Sequence, residues 1–587
     1  MARFTLLSAL FAASLAFVDA TPFRKGVRAV TCSETWEPVT AQDFVDRLNP
    51  GWNLGNSLDA TPGETDWGNK PVTGDIFDLV KESGFKSVRL PVTWTNHTGP
   101  APDYTIDASW LTRVSEVIDM VLSRDMYAIV NMHHDSFMWA DISKPDSNIS
   151  EVEDRFRKLW VQIADKLACK SSRLAFEPIN EPPGTTEEHG MELNKINDIF
   201  LETIGASGGF NDRRVVTLSG AGQDSIKTSQ WFKRPANITN PWAIQYHYYS
   251  PYDFNFGAWG RTIWGSDADK ASLDSDLKLI RDNFTDVPLV IGEWQVTPFR
   301  TEAAARWKYF DFFIRTANKY RTSTIIWDNG GDFLDRPAKT WRDVTALNIL
   351  MDAVKGLPNA LPDSTTDQSA PTQWTAATIF HRVGAPVEDA TLPFLLNNDT
   401  VTRVDLMNTG TASIGSVPRG QSVQYRTVGS NITIPANVTA PYLSASAAPG
   451  SKPPLTITFT NGAPIQIQLV QWDTPVLSTS TVSLPPASAT ELAVPITWKG
   501  LKQPAAVRAV TVDDQKPIVD DWTAGIGSLQ AGFMTYDGQW KWNDTHVILA
   551  QGALEAMGTV KRDVVVSVQG WPREEGNMVN FTVTAAA

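Results

Sequence analysis

The run AFEPINEPPG (residues 175–184) sets two glutamates and an asparagine among apolar residues and prolines. It reads as a strand through Asn180, and the prolines after Glu181 stop it. Counting it as LAFEPIN (174–180), eight short β-like runs lie between about Gly51 and Asp328. The others are GWNLGN (51–56), SVRLP (87–91), YAIVNMH (127–133), VVTLS (215–219), AIQYH (243–247), PLVIGE (288–293) and STIIW (323–327). Helical patterns such as IFDLVKESG and WLTRVSEVIDMVLSRD separate them. The alternation predicts an α/β fold with a parallel sheet. Eight strands over roughly 300 residues match the count and size of a closed (β/α)8, or TIM, barrel. A doubly wound open sheet ranks second, because no glycine-rich phosphate loop follows the first strand.

Arg89, His133, Asn180, Glu181, His247, Glu293 and Trp327 all fall at the C-terminal ends of their runs. In a barrel those ends converge on one face, where active sites are built. Glu181 and Glu293 would then face each other across the mouth. Two such carboxylates are the minimal apparatus for cleaving a glycosidic bond, one giving a proton to the leaving oxygen and the other attacking the anomeric carbon. They must hold different protonation states at one pH; a cation such as Arg89 would keep one ionised, and that charge would raise the pKa of the other. Taken singly, each glutamate is better explained by a structural ion pair. Glu177 has the same strand parity as Glu181 but lies four residues earlier, about 13 Å deeper along an ideal strand. It is expected to be a buried structural carboxylate paired to a basic or amide group. MHHD (132–135) contains ligand-type side chains, but neighbouring strand residues point to opposite faces and the first strand has no His-x-His pair, so no metal and no cofactor are expected.

A chain of 587 residues exceeds one hydrophobic core and must form several domains. The first twenty residues combine Arg3, an apolar run and Val18/Ala20 before Thr21, the pattern of a secretory signal peptide over 1–20. The apolar run is too short to span a bilayer. Nine Asn-x-Ser/Thr sequons, at Asn96, Asn148, Asn237, Asn283, Asn398, Asn431, Asn437, Asn543 and Asn580, fit a secreted, extracellular glycoprotein. Only Cys32 and Cys169 are present, which allows one disulfide or two free thiols and excludes a disulfide scaffold. A net charge of −14 argues against nucleic acid or an anionic membrane as partner and is compatible with a neutral substrate and a monomer. Twenty-two tryptophans offer flat faces suited to sugar rings, although most tryptophans serve as core.

Beyond Leu361 helical periodicity fades. PDSTTDQSAPTQ (362–373) reads as a linker, and LTITFT (455–460), IQIQLVQW (465–472), RDVVVSVQGW (562–571) and NMVNFTVTA (577–585) alternate as strands. STSTVSLPPASAT (478–490) divides this region in two. The expected plan is a barrel over 21–361, a linker, and two small all-β sandwich domains over 374–483 and 484–587.

The stretches GWNLGNSLDA, VRLPVTW, IVNMHHD, FEPINEP, QYHYY, VIGEW and IIWDNGG resemble the signatures of glycoside hydrolase family 5, the retaining (β/α)8 hydrolases of the cellulase clan. ETDWGN, HHD and WDNG resemble its subfamily 4, which holds endo-β-1,4-glucanases, xyloglucanases and mixed-linkage glucanases. The likeness runs in order over about residues 35–356. It implies Glu181 as acid/base and Glu293 as nucleophile, with Arg89 and Tyr249 holding the nucleophile ionised and His247 near the acid/base. It implies Asn180 on the sugar 2-hydroxyl, His133 and His134 lining the subsite beside the scissile bond, and Trp327 as its stacking floor. Asn53 of the opening motif joins the substrate-binding candidates. Trp67, Trp94, Trp139, Trp259 and Trp264 follow strand ends, where some would be sugar platforms. The substrate implied is a β-glucan: cellulose, mixed-linkage glucan or xyloglucan, with β-mannan as an alternative. A polysaccharide-binding wall protein without turnover is the competing class. MTYDGQWKWND (534–544), with Trp540 as a substrate-binding candidate, and QGWPREEGNMVNFTVTA (569–585) resemble, less specifically, an immunoglobulin-like module followed by a family 46 carbohydrate-binding module; a core tryptophan of a small sandwich plus one exposed aromatic is the equal alternative.

Overall fold

A computed structural model describes residues 30–236, 238–407, 420–519 and 532–585. The signal-peptide residues and Asn237 lie outside this set. Eight parallel strands close into a barrel in chain order: β1 (Gly51–Asn53), β2 (Ser87–Leu90), β3 (Tyr127–Asn131), β4 (Leu174–Glu177), β5 (Val216–Asp224), β6 (Trp242–His247), β7 (Leu289–Glu293) and β8 (Thr322–Ile326). Closure comes from β1 against β8, with Trp52 beside Ile326. Each run read from the sequence is a strand. Several are shorter at the C-terminal end, β4 stopping at Glu177 and not Asn180, because their last polar residues leave the ladder to enter the mouth. β5 runs to Asp224, five residues past the expected end.

The barrel interior is layered. At the N-terminal end Ile129, Ala175, Ala243, Val290 and Ile325 pack with Phe44, Val45 and Leu48 of the helix Ala41–Asp46 and its exit, which plug the bottom. Ser87 and Ser323 hydroxyls donate to the carbonyls of Leu48 and Val45, tying the plug to the strands. Above this apolar floor, Asn53, Arg89, Asn131, Glu177 and Gln245 fill the barrel as a fully buried polar layer. Outside, helices such as Gly74–Glu82, Ala108–Leu122 and Ile149–Leu167 press an apolar face on the sheet and leave charged residues in water. Cys32 and Cys169 form a disulfide, which ties the segment before the barrel to the chain entering β4.

The rest of the described chain is β-rich. A five-stranded sheet (378–382, 465–472, 450–459, 401–406, 421–422) faces a four-stranded one (361–362, 390–395, 431–434, 426–428). Two further four-stranded sheets use strands between Val476 and Thr584. The core of the first sandwich is continuous with that of the barrel, whereas the last module has its own, around Val494, Trp540, Leu549 and Phe581. The polar stretch 362–373 is bonded at both sides: Lys308 reaches Asp363, Gln368 the carbonyl of Ile263, and Gln373 the carbonyl of Arg573. All sequon asparagines in the described residues are exposed. No helix among these residues is long and apolar enough to cross a membrane.

Candidate active site

Arg89, pointing up from the polar layer, organises the mouth. Its Nε and Nη2 donate to the two oxygens of Glu177 at 2.7 and 2.9 Å. Nη1 donates to Glu293 Oε1 at 2.6 Å and Asn53 Oδ1 at 3.0 Å, and Nη2 also meets Asn180 Oδ1 at 2.8 Å. One guanidinium therefore fixes both a buried and a mouth-facing carboxylate, a bidentate geometry that lysine could not reproduce. Glu177 is the buried, paired carboxylate expected of it, with Asn131 and Gln223 amides completing its shell at 3.3 and 3.2 Å. It is not remote, however. β4 ends at Glu177 and the chain then turns, so Glu177 is not set as far from the mouth as a continuous strand would set it, and Glu177 and Glu293 share one guanidinium.

Glu293 Oε2 accepts from the Tyr249 hydroxyl at 3.0 Å and lies 3.6 Å from His247 Nδ1. His247 Nδ1 also shares a 2.7 Å hydrogen bond with Glu181 Oε1. Carboxylate oxygens of Glu181 and Glu293 approach within 4.8 Å. Their surroundings differ: the Glu293 side chain is nearly buried at 7% exposure, while that of Glu181 is 30% exposed. Burial raises the Glu293 pKa, His247 and Arg89 pull it down, and the charge of Glu181 pushes it up again; the net direction is upward. For Glu177 burial also pushes up, but Arg89 prevails and the net shift is downward. Burial and the neighbouring Glu293 charge drive the Tyr249 phenol far above its ordinary range, so it acts as a neutral donor.

His133 lies parallel to Trp327, ring centres 5.8 Å apart. Asn131 Oδ1 accepts from the backbone of Val92, so its amide nitrogen must be the partner of His133 Nδ1 at 3.1 Å. His133 thus carries its proton on Nε2. Burial, His134, Arg89 and His247 all depress its pKa, leaving a neutral hydrogen-bond donor. Trp327 needs Gly55 beneath it, where a Cβ would come within 2.6 Å of the indole. That contact explains the glycine of the opening motif.

The aromatic candidates divide. Trp67 is 42% exposed and 5.2 Å from the His134 ring, at the edge of the mouth. Trp139 is half-buried and held by Asp135 through Nε1 at 2.9 Å. Trp259 is half-buried, packs 5.8 Å from Tyr252 and donates to Thr535 of the last module at 3.0 Å. Tyr252 packs on Phe256 and Phe256 on Tyr249, so a row of rings runs from the Glu293 partner to the last module. Trp264 and Trp540, candidates for substrate binding, are corrections to the sequence reading, and Trp94 falls among the tryptophans that pack. All three are buried: Trp94 bonds the Asn131 carbonyl, Trp264 packs on Phe254 and Tyr309, and Trp540 sits in the core of the last module. None offers a face to a sugar. Asn53 is likewise buried, its amide donating to the Gly292 and Ile326 carbonyls and its oxygen accepting from Arg89. It holds the site from below and does not line it.

Sequence reasoning missed Asn131, Gln223 and Asp328. Asn131 carried a signal, a polar residue two before His133 in an apolar strand. Asp328 ties the loop after β8 to Trp52, Gly330 and Leu334, with only its place in WDNGG to mark it. Gln223 lies past the last residue read as strand and left no trace. Among the described residues, ligand-type atoms gather in two places, Asp59/His133/His134 and Glu181/His247/Glu293. In the first, both Asp59 oxygens accept backbone N–H groups from Asn56 and Ser57 and His133 Nδ1 accepts from Asn131, while His134 Nε2 lies 3.6 Å from Asp59 Oδ2. The second is the carboxylate pair itself.

A (β/α)8 barrel holding two unlike carboxylates across its mouth is the framework of a glycoside hydrolase. The cellulase family model, glycosyl hydrolase family 5, matches residues 53–333. Endoglucanase B of Clostridium cellulovorans is 35% identical over 327 residues, 53% of this chain and 73% of that protein. Endoglucanase B of Paenibacillus lautus is 28% identical over 515 residues, 83% of this chain and 84% of that protein. The crystal structure of a tri-modular family 5, subfamily 4 endo-β-1,4-glucanase from Bacillus licheniformis complexed with cellotetraose superposes with a TM-score of 0.81 at 31% identity, covering 94% of this chain and 100% of that one. The chain belongs to glycosyl hydrolase family 5.

Proposed function

We propose that the protein is a secreted, retaining endo-β-1,4-glucanase acting on internal bonds of cellulose-like β-glucans, with xyloglucan within the same substrate class. The observation that carries this is the approach of Glu181 and Glu293 oxygens within 4.8 Å. Retaining hydrolases place their carboxyl groups about 5–5.5 Å apart, whereas inverting ones leave about 6.5–9.5 Å for a water. Glu293, gripped by Arg89 and Tyr249, attacks the anomeric carbon as the bond to the leaving oxygen breaks. Glu181 gives its proton to that oxygen, then takes one from the water that hydrolyses the glycosyl-enzyme. Asn180, oriented by Arg89, bonds the sugar 2-hydroxyl; the His133 Nε2–H and the Trp327 face hold the ring. No residue in these roles is substituted relative to the family pattern, which favours turnover over mere binding.

In this reading 1–20 is a cleaved signal, the sandwich ending at Trp472 an immunoglobulin-like spacer, and the sheets from Val476 onward, which begin ahead of the boundary expected at 484, a carbohydrate-binding module. The row of rings from Tyr249 to Trp259 supports a glucan path toward that module. Proton NMR of freshly cleaved oligosaccharide should show the β-anomer first, and Glu293→Ala should release no reducing sugar from carboxymethyl cellulose, barley glucan or xyloglucan. An α-anomer first, or an active Glu293→Ala, would overturn the proposal.

A further inference from the structure

β5 carries a device outside the family signatures. Its pairing with β6 advances from Ser219 opposite Gln245 to Asp224 opposite His247, five positions on β5 against two on β6. The surplus residues arch over the end of β4 and grip the chain there twice. Gly222 N–H donates to the Pro182 carbonyl at 2.7 Å, and Gln223 Oε1 accepts from the Glu181 N–H at 2.7 Å. The other end of the same amide donates to Glu177 Oε1 at 3.2 Å. Gln223 is fully buried, and its bond to Glu177 is made away from water. Glu181 has φ +37°, a left-handed conformation that a non-glycine residue keeps only when its surroundings impose it.

We infer that Gln223 is a positioning residue for proton transfer. It locks the Glu181 backbone, in its strained conformation, to the Glu177–Arg89 pair that also holds Glu293, so one network sets where the two carboxylates stand relative to each other. His247 holds the tip of the Glu181 side chain; Gln223 holds its root. The inference rests on the proposed role of Glu181 as acid/base.

The consequence is selective. A general acid must stand within hydrogen-bond reach of the leaving oxygen, about 2.6–3.2 Å. A leaving group acidic enough to depart unprotonated does not depend on that placement. Loosening Gln223 should therefore penalise poor leaving groups and spare good ones.

The test is kcat/KM, which reports the bond-breaking step, for a series of aryl β-cellobiosides from 2,4-dinitrophenyl to phenyl. Wild type, Gln223→Met, Gln223→Asn and Glu181→Gln are compared in the full-length protein. Gln223→Met should lose on the order of 10–100-fold on the phenyl substrate, within the range of a misplaced catalytic group. On the dinitrophenyl substrate it should lose no more than about threefold, the rate there counting correctly assembled sites. Gln223→Asn keeps a buried amide but is too short to bridge both partners; it should show the same steepened dependence if the methionine variant does not fold. A uniform loss across the series, or none, would overturn the role of Gln223 and leave it a packing residue. If Glu181→Gln itself fails to steepen the dependence, the acid/base assignment falls instead, and the two failures are distinguished in one experiment.

Discussion

Glu293 is held by opposing forces whose balance sets its working range. Burial and the charge of Glu181 favour its neutral form, while His247, Arg89 and the Tyr249 hydroxyl favour the anion. The net shift is upward. In its proposed role as nucleophile Glu293 works as an anion, so activity should fall as pH drops through its pKa, and a raised pKa places that fall above the ordinary glutamate range. Tyr249→Phe removes a donor to the anion; a hydrogen bond to a charged group contributes about 1.5–3 kcal/mol, equivalent to about one to two pH units. The acid limb of kcat/KM against pH should move up by about that much, and an unmoved limb would show that Tyr249 does not support the anion. At this scale the sequence named most of the site, because Arg89, Glu293 and His247 sit at strand ends where the fold alone gives them a common face. It could not say which acidic group Arg89 serves, since one guanidinium proved to serve two.

The strand is the element that makes the site possible. β1 to β4 and β6 each put a polar residue into one buried layer above an apolar floor, and the helix Ala41–Asp46 seals that floor from beneath. Phe44 is fully buried and meets Tyr127 edge-on at 5.2 Å. Phe44→Ala should therefore lower the denaturant midpoint of the barrel by an amount equivalent to about 3–5 kcal/mol. The folded enzyme should keep its kcat/KM, because plug and mouth occupy opposite ends of the barrel. Loss of activity without loss of stability would contradict this layering. Alternation of short apolar runs with helical patterns made all eight strands legible. Strand ends were less so: β4 stops at Glu177, and Asn180 beyond it meets Arg89 of β2, while β5 runs on through Gln223, whose side chain reaches Glu177 and the Glu181 backbone.

Across the whole molecule, the first sandwich shares a core with the barrel, but the last module docks through polar and aromatic contacts. Arg573, pushed by burial down to about 10, donates to the Gly260 carbonyl at 2.6 Å, and the Arg300 guanidinium lies 3.8 Å over the Tyr536 ring. At the centre Gly260 has φ +74°, and a Cβ there would stand 2.5 Å from the Phe533 ring. Gly260→Ala should loosen the last module while leaving both folded units intact. Small-angle scattering would report a larger radius of gyration, and hydrolysis of polymeric glucan should fall more than that of an aryl cellobioside. An unchanged profile and ratio would show the dock tolerates the methyl group. The sequence by itself determined the barrel and the β-rich C-terminal region and placed Glu181 and Glu293 after strand ends, because periodicity and strand-end position are local properties written residue by residue. Tertiary structure alone decided that Cys32 pairs with Cys169, that Glu177 shares its arginine with Glu293, that Trp264 and Trp540 are core, and that Gln223 reaches Glu181. Each depends on where distant segments meet, and burial and hydrogen-bond geometry are set by that meeting.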